Sequence, residues 1–191
     1  SDSYSNVCDY GPDGQVVLFV YTSANNNNMY GRAATISGTV VNFGTEQYLG
    51  FTSASQTYDL KYIGSNKFFA VVRDGGNSGY GTGAVITVTG TTATISGTAI
   101  SYGAKTYLTS GGAGGNGGNV RYINSVDRFV YCYKDNANSG YGTAIVLSQS
   151  GTTVSLAGSA VVFASANTEH ASGIYNSIYD SLPEGLREQY S

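Results

Sequence analysis

A hexapeptide that returns unchanged constrains this chain more than any other feature. Asn77-Ser78-Gly79-Tyr80-Gly81-Thr82 recurs as Asn138-Ser139-Gly140-Tyr141-Gly142-Thr143, 61 residues later. A repeat of this period means one supersecondary unit copied in series, so the unit has to be read first and the array second. The flanks repeat too. Leu60-Lys61-Tyr62-Ile63 matches Val120-Arg121-Tyr122-Ile123, and Phe69 to Asp74 matches Val130 to Asp135 with the apolar and basic positions kept. Gly90-Thr91-Thr92 matches Gly151-Thr152-Thr153. A weaker first copy runs from Asn6 to about Leu49, with Val16 to Tyr21 as its apolar strand and Met29-Tyr30-Gly31-Arg32 in place of the glycine-tyrosine-glycine element. Ile174 to Asp180 reads as the first strand of another copy, after which the pattern stops.

Within a unit the hydrophobic period is two. β-branched and aromatic residues fill short runs bounded by Gly, Ser, Asn and Asp, which is the pattern of strands joined by tight turns. The second copy divides into strands at 58–63, 68–73, 80–89 and 93–102. Connections this short make neighbouring strands antiparallel. A four-stranded antiparallel meander of this size is a propeller blade in length. The predicted fold is therefore all-β, a β-propeller-like array of about three and a half four-stranded blades. It is read as a single repeat domain: repeat 1 at about 4–54, repeat 2 at 58–108, a glycine-rich connector at 109–118, repeat 3 at 119–168, and a partial repeat at 169–191. That last segment carries a capping-box pattern, Ser181-Leu182-Pro183-Glu184, which predicts a short C-terminal helix. A half blade leaves sheet edges open. Three solutions stand side by side: Ser3 to Val7 pairs with Ile174 to Tyr179, chains oligomerise with strands exchanged, or the chain is a piece of a longer array.

Composition removes several functions. A formal net charge of −3 without a basic cluster argues against nucleic acid and anionic membrane surfaces. No apolar run approaches the ~20 residues of a membrane-spanning helix. The start Ser1-Asp2-Ser3-Tyr4 has neither Met nor a signal-peptide core, giving the expectation of a chain processed, tag-cleaved or cut from something longer. The sole histidine, His170, sits in a polar stretch and reads as a bystander, which leaves a Ser or Cys nucleophile without its usual base. Asp74 and Asp135 are the available carboxylates for glycoside hydrolysis, yet they occupy equivalent repeat positions, where residues normally serve the fold. No enzyme is expected. Cys8 and Cys132 read as core or near-core thiols, with a disulfide left open because sequence does not supply its geometry.

Two site readings remain. Asp74, Asn77, Asp135 and Asn138 present oxygen ligands at the short spacing of calcium loops, weighed against turn chemistry, in which Asp and Asn bond the loop backbone and Gly takes positive φ. The first copy, with Ser23 to Asn28 in this place, keeps the polar turn and loses the acid. The 17 tyrosines on a Ser, Thr, Asn and Gly background suit a glycan-facing surface, since a tyrosine ring stacks on sugars while its hydroxyl hydrogen-bonds. Tyr62, Tyr80, Tyr122 and Tyr141 are repeat positions and are expected to pack between sheets. Tyr30 and Tyr107, with Asn77 and Asn138, are the candidate ligand-binding residues. The tract Gly111 to Gly118 lacks the Lys-Ser/Thr pair and following helix of a phosphate loop and reads as a connector.

Arg73 to Val85 with Thr89 to Thr92, and Tyr133 to Ile145 with Ser150 to Thr153, resemble glycine- and tyrosine-rich repeats of tail fibre or knob proteins of bacterial viruses, marine and cyanobacterial ones especially. The resemblance implies propeller-like blades, no catalytic residues, and an extracellular component of the virion surface. Its implied partners are a cell-surface glycan or other virion or filament subunits, with a homo-oligomer expected and no nucleic acid or membrane insertion. A prokaryotic secreted lectin or surface filament subunit is the alternative. The absence of any Asn-x-Ser/Thr acceptor fits a prokaryotic or viral surface better than a eukaryotic secreted glycoprotein.

Overall fold

The computed structural model describes residues 3–52, 56–101, 119–123, 126 and 128–168. Among them every regular element is a strand apart from two single 3-10 turns. The strands form three antiparallel sheets in chain order. Sheet 1 holds β1 (Ser3–Gly11), β2 (Val16–Ser23), β3 (Met29–Ser37), β4 (Val40–Phe43) and β5 (Gln47–Tyr48). Sheet 2 holds β6 (Gln56–Tyr62), β7 (Lys67–Asp74), β8 (Tyr80–Thr89) and β9 (Thr92–Ser101), and sheet 3 holds β10 (Asn119–Ile123), β11 (Arg128–Asp135), β12 (Tyr141–Ser150), β13 (Thr153–Leu156) and β14 (Val161–Asn167). Both β4 and β5 pair with β3, and both β13 and β14 pair with β12. Each sheet is thus a four-position meander whose fourth position is broken in sheets 1 and 3; in sheet 2, β9 crosses it whole with a register shift. The predicted strands of the second copy fall within two residues of those observed.

The local chemistry explains the meander. The third-to-fourth connection is a two-residue hairpin in every sheet, closed by the pairs Ser37↔Val40, Thr89↔Thr92 and Ser150↔Thr153. Gly38, Gly90 and Gly151 hold its first central position at φ of 60°, 61° and 61°, the left-handed value that a type II′ turn demands and a Cβ would penalise.

The sheets stack face to face in the order 1, 2, 3. Sheet 2 is buried on both sides, and β7 says why in its sequence: Phe68-Phe69-Ala70-Val71-Val72 is an unbroken apolar run, the mark of a strand covered on both faces. Phe68, Ala70 and Val72 pack with Leu18, Val20 and Met29 of sheet 1, while Phe69 and Val71 pack with Phe129, Tyr131 and Tyr133 of sheet 3. The Phe69 and Phe129 rings meet at 4.6 Å between centroids. Each buried Phe contributes roughly 1.5–3 kcal/mol. By contrast β2 alternates, burying Val16, Leu18 and Val20 and turning Val17, Phe19 and Tyr21 away from sheet 2.

Carboxylates stitch the first strands together. Asp9 on β1 accepts the Tyr62 amide of β6 at 2.6 Å, and Asp59 on β6 accepts the Val120 amide of β10 at 3.1 Å. Beside the first of these, Asp13 accepts the Ser65 amide at 2.7 Å. The first strands of successive sheets therefore run side by side while the faces stack outward from them.

One expectation changes. The described residues form no closed ring or barrel, because sheets 1 and 3 each turn one face outward instead of meeting. Ser3 to Val7 belongs to β1 and pairs with β2 along one edge, while Ile174 to Tyr179, offered above as its mate, lies outside the described residues. The predicted C-terminal helix, the partial repeat and the glycine connector lie outside the described residues, as do Tyr107 and His170.

Candidate functional site

The turns carrying Asp74 with Asn77 and Asp135 with Asn138 cap the second-to-third strand connections of sheets 2 and 3. Each is one 3-10 turn, Gly75–Asn77 or Asn136–Asn138, followed by a left-handed serine at Ser78 (φ 53°) or Ser139 (φ 55°). Gly79 and Gly140 donate back to the carbonyls of Asp74 and Asp135, both at 2.8 Å. The Asp135 carboxylate accepts the Ala137 amide at 3.0 Å, and the Asn77 amide group donates to the Ser101 hydroxyl at 3.3 Å. Asp135 thus serves its own turn, Asp74 makes no side-chain bond to cap its turn, and Asn77 reaches across to β9. The two acids stand on different sheets, and no cluster of three or more metal-ligating His, Cys, Asp or Glu occurs among the described residues.

The tyrosines divide differently from the expectation. Tyr62 and Tyr122 do pack, against Phe68 and Phe129 at 5.4 Å and 4.8 Å. Tyr80 is 38% exposed and Tyr141 only half-buried. They open β8 and β12 at the mouth of the turn, beyond the covered part of the sheet. Among the described residues the fully buried tyrosines are Tyr131 and Tyr133, stacked at 5.1 Å. They occupy the positions of Ala70 and Val72 in sheet 2, 61 residues earlier, so sequence equivalence hid a change from small to aromatic core. Burial, with Asp135 adding to it, pushes the Tyr133 hydroxyl up to about 12.

The outward face of sheet 1 holds a groove of ≈ 570 Å³ lined by Cys8, Phe19, Tyr21, Arg32, Phe43 and Glu46 among others. Phe19 and Phe43 lie 5.4 Å apart, and the Arg32 guanidinium sits over the Phe43 ring at 4.9 Å while its Nε donates to the Gly44 carbonyl at 2.7 Å. Tyr21 donates its hydroxyl to Glu46. Burial first, then Glu46, pushes the Tyr21 hydroxyl up to about 12, so the phenol stays a neutral donor. Tyr30, predicted as a binding residue, stacks on Tyr21 at 6.2 Å and meets Tyr48 at 5.9 Å, extending the aromatic row. Sequence reading missed Phe19, Tyr21, Phe43, Arg32 and Glu46. The signal was there for two of them, since period-two alternation in Val16 to Tyr21 puts Phe19 and Tyr21 on the face opposite Val16, Leu18 and Val20.

Sheet 3 also turns a face outward. Val130, Cys132 and Val146 stand 61 residues after Phe69, Val71 and Val85, which sheet 2 buries almost completely, yet the first two are only half-buried and Val146 is exposed. Val161 and Phe163 of β14 are 64% and 53% exposed. Cys8 and Cys132 are free thiols on the two outward faces, Cys8 exposed where a near-core thiol was expected. Burial pushes the Cys132 thiol up, partly countered by Arg121. No protein-family model, curated protein or solved structure matches the chain.

Proposed function

We propose that this chain is a non-enzymatic structural and adhesion subunit of an extracellular assembly, with a tail fibre or knob of a bacterial virus as the first reading and a prokaryotic secreted lectin or surface filament subunit as the alternative. One observation carries it: the end sheets leave uncovered the apolar face positions that the middle sheet buries on both sides. Exposed apolar faces of this extent mark surfaces meant for a partner. Three stacked antiparallel meanders with adjacent first strands support this reading, since further blades would extend the same stack. A large cohesive surface with low charge suits permanent assembly outside the cell better than transient catalysis.

Recognition of a host-surface glycan is the second reading, favoured by the sheet 1 groove. Its aromatic row of Tyr21, Tyr30, Tyr48 and Phe43 offers faces for sugar rings, and Arg32 and Glu46 offer hydrogen-bond partners for hydroxyls. An open stack of subunits keeps this face free at one end, so the two roles are compatible. Negative-stain electron microscopy of the purified chain tests the first reading: filaments or rings are expected, and a field of single small particles at every concentration contradicts it.

A further inference from the structure

Resting on the assembly reading, we infer that copies of this chain associate head to tail, the outward face of sheet 3 on one copy packing against the outward face of sheet 1 on the next, with the Gly38-Thr39 hairpin seated at Gly158. The two internal junctions supply the template. At the first, the Gly90-Thr91 hairpin of sheet 2 presses on Gly44 of sheet 1, where an added Cβ would run into the Thr91 carbonyl oxygen and lie 2.5 Å from its Cβ. At the second, the Gly151-Thr152 hairpin of sheet 3 presses on Gly97 of sheet 2, where a Cβ would collide with the Thr152 carbonyl. The same device joins both pairs of sheets: a type II′ hairpin of the later sheet against a glycine in the fourth strand position of the earlier one.

Each half of that device is left unused at one end of the stack. Gly158 follows Gly97 by 61 residues, and nothing lies within 4 Å of the Cβ position there. The Gly38-Thr39 hairpin has the φ of its two counterparts, and Thr39 is exposed where Thr91 and Thr152 are half-buried. The apolar positions agree. In β7, Phe68, Ala70 and Val72 face the preceding sheet and Phe69 and Val71 the following one; Phe129, Tyr131 and Tyr133, 61 residues on, again face the preceding sheet. The sheets are therefore related head to tail, and the face exposing Val130, Cys132 and Val146 is the one that takes a following sheet. On sheet 1 the face exposing Ile36, Val41 and Phe43 is the one that takes a preceding sheet. A second copy continues both junctions with surfaces the chain already uses. Because the two faces differ, the contact is heterologous and ends only in a ring or an open stack.

Two single-face variants test this. Val146→Glu with Gly158→Leu blocks sheet 3, and Val41→Glu blocks sheet 1; all three positions are exposed, so the fold is kept, which circular dichroism checks. By light scattering each variant alone is expected to be a monomer, and an equimolar mixture a heterodimer, since one intact face remains on each partner. A wild type that oligomerises while neither variant changes its mass overturns the head-to-tail contact and leaves the assembly reading standing. Variants that stay monomeric when mixed also overturn it, pointing to like faces pairing with like. A higher mass for wild type lacking 169–191 than for the full chain overturns it by identifying those residues as the occupant of an end face. A wild type monomeric at every concentration overturns both inference and reading.

Discussion

Gly97 lies directly under the Thr152 carbonyl, 3.1 Å from its carbon as measured from where a Cβ would stand, so sheets 2 and 3 approach each other as closely as backbone allows at this point. Gly44 bears the same relation to Thr91 between sheets 1 and 2. Gly44→Ala is expected to destabilise by about 1–3 kcal/mol, the usual cost of overpacking. Gly97→Ala is expected to cost more, because its φ of 73° adds backbone strain. Gly158→Ala, facing open space, is expected to leave the monomer's stability unchanged. Urea unfolding of the three variants ranks them; a cost at Gly158 equal to that at Gly44 would contradict the account.

Asp59 ties three groups of two sheets together. Besides the Val120 amide it meets Lys61 Nζ at 3.4 Å and Arg121 Nη1 at 3.5 Å. The ion pairs are half-open to solvent and contribute little; the amide matters more, since losing its acceptor strands the donor of a buried residue, Val120. Asp59→Ala is expected to cost about 1–3 kcal/mol, and Asp59→Asn less, with salt changing the wild type only slightly. Chemical denaturation at low and high ionic strength separates the two contributions.

The tyrosines predict an alkaline transition. A hydroxyl whose pKa is raised in the folded state contributes stability that is complete below the unfolded value near 10 and is lost as pH rises towards the folded value, about 12 for Tyr133. Thermal stability should therefore fall between those limits, and Tyr133→Phe should fall less steeply than the wild type over that range. At the other end of the scale, the nearby Tyr62 hydroxyl and the Ser65 amide hold the Asp13 carboxyl below the usual aspartate range. Its contribution is present above that range and disappears as acid protonates it, so the junction of sheets 1 and 2 is expected to loosen first on acidification, read by hydrogen exchange at Ser65.

The groove of sheet 1 makes its own prediction. If its aromatic row binds a glycan, Tyr21→Ala and Arg32→Ala each lower affinity on a glycan array by roughly tenfold or more, while Tyr80→Ala, exposed on another sheet, leaves it unchanged. Tyr21→Phe isolates the hydroxyl held by Glu46.

The repeat made the meander legible before any coordinates. Glycine turns, period-two strands and the 61-residue offset placed each strand of sheet 2 correctly, because local turn chemistry decides where a strand stops. The tertiary facts were less visible. Nothing local separates Tyr80, at the rim of its sheet, from Tyr133, in the core; both are tyrosines in repeated strands, and only the stacking of sheets decides which is covered. The groove was missed for a related reason. Its residues come from β1, β2, β3 and the segment holding Phe43 and Glu46, in the copy least like the others, so no repeated motif flagged them.

The absolute mass of the chain by light scattering across a dilution series tests the central claim most directly. The account predicts a species heavier than one chain, either growing with concentration as an open stack or constant as a closed ring, with Cys8 and Cys132 losing reactivity towards thiol reagents as it forms. A single-chain mass at every concentration, with Cys8 reactive throughout, would contradict it.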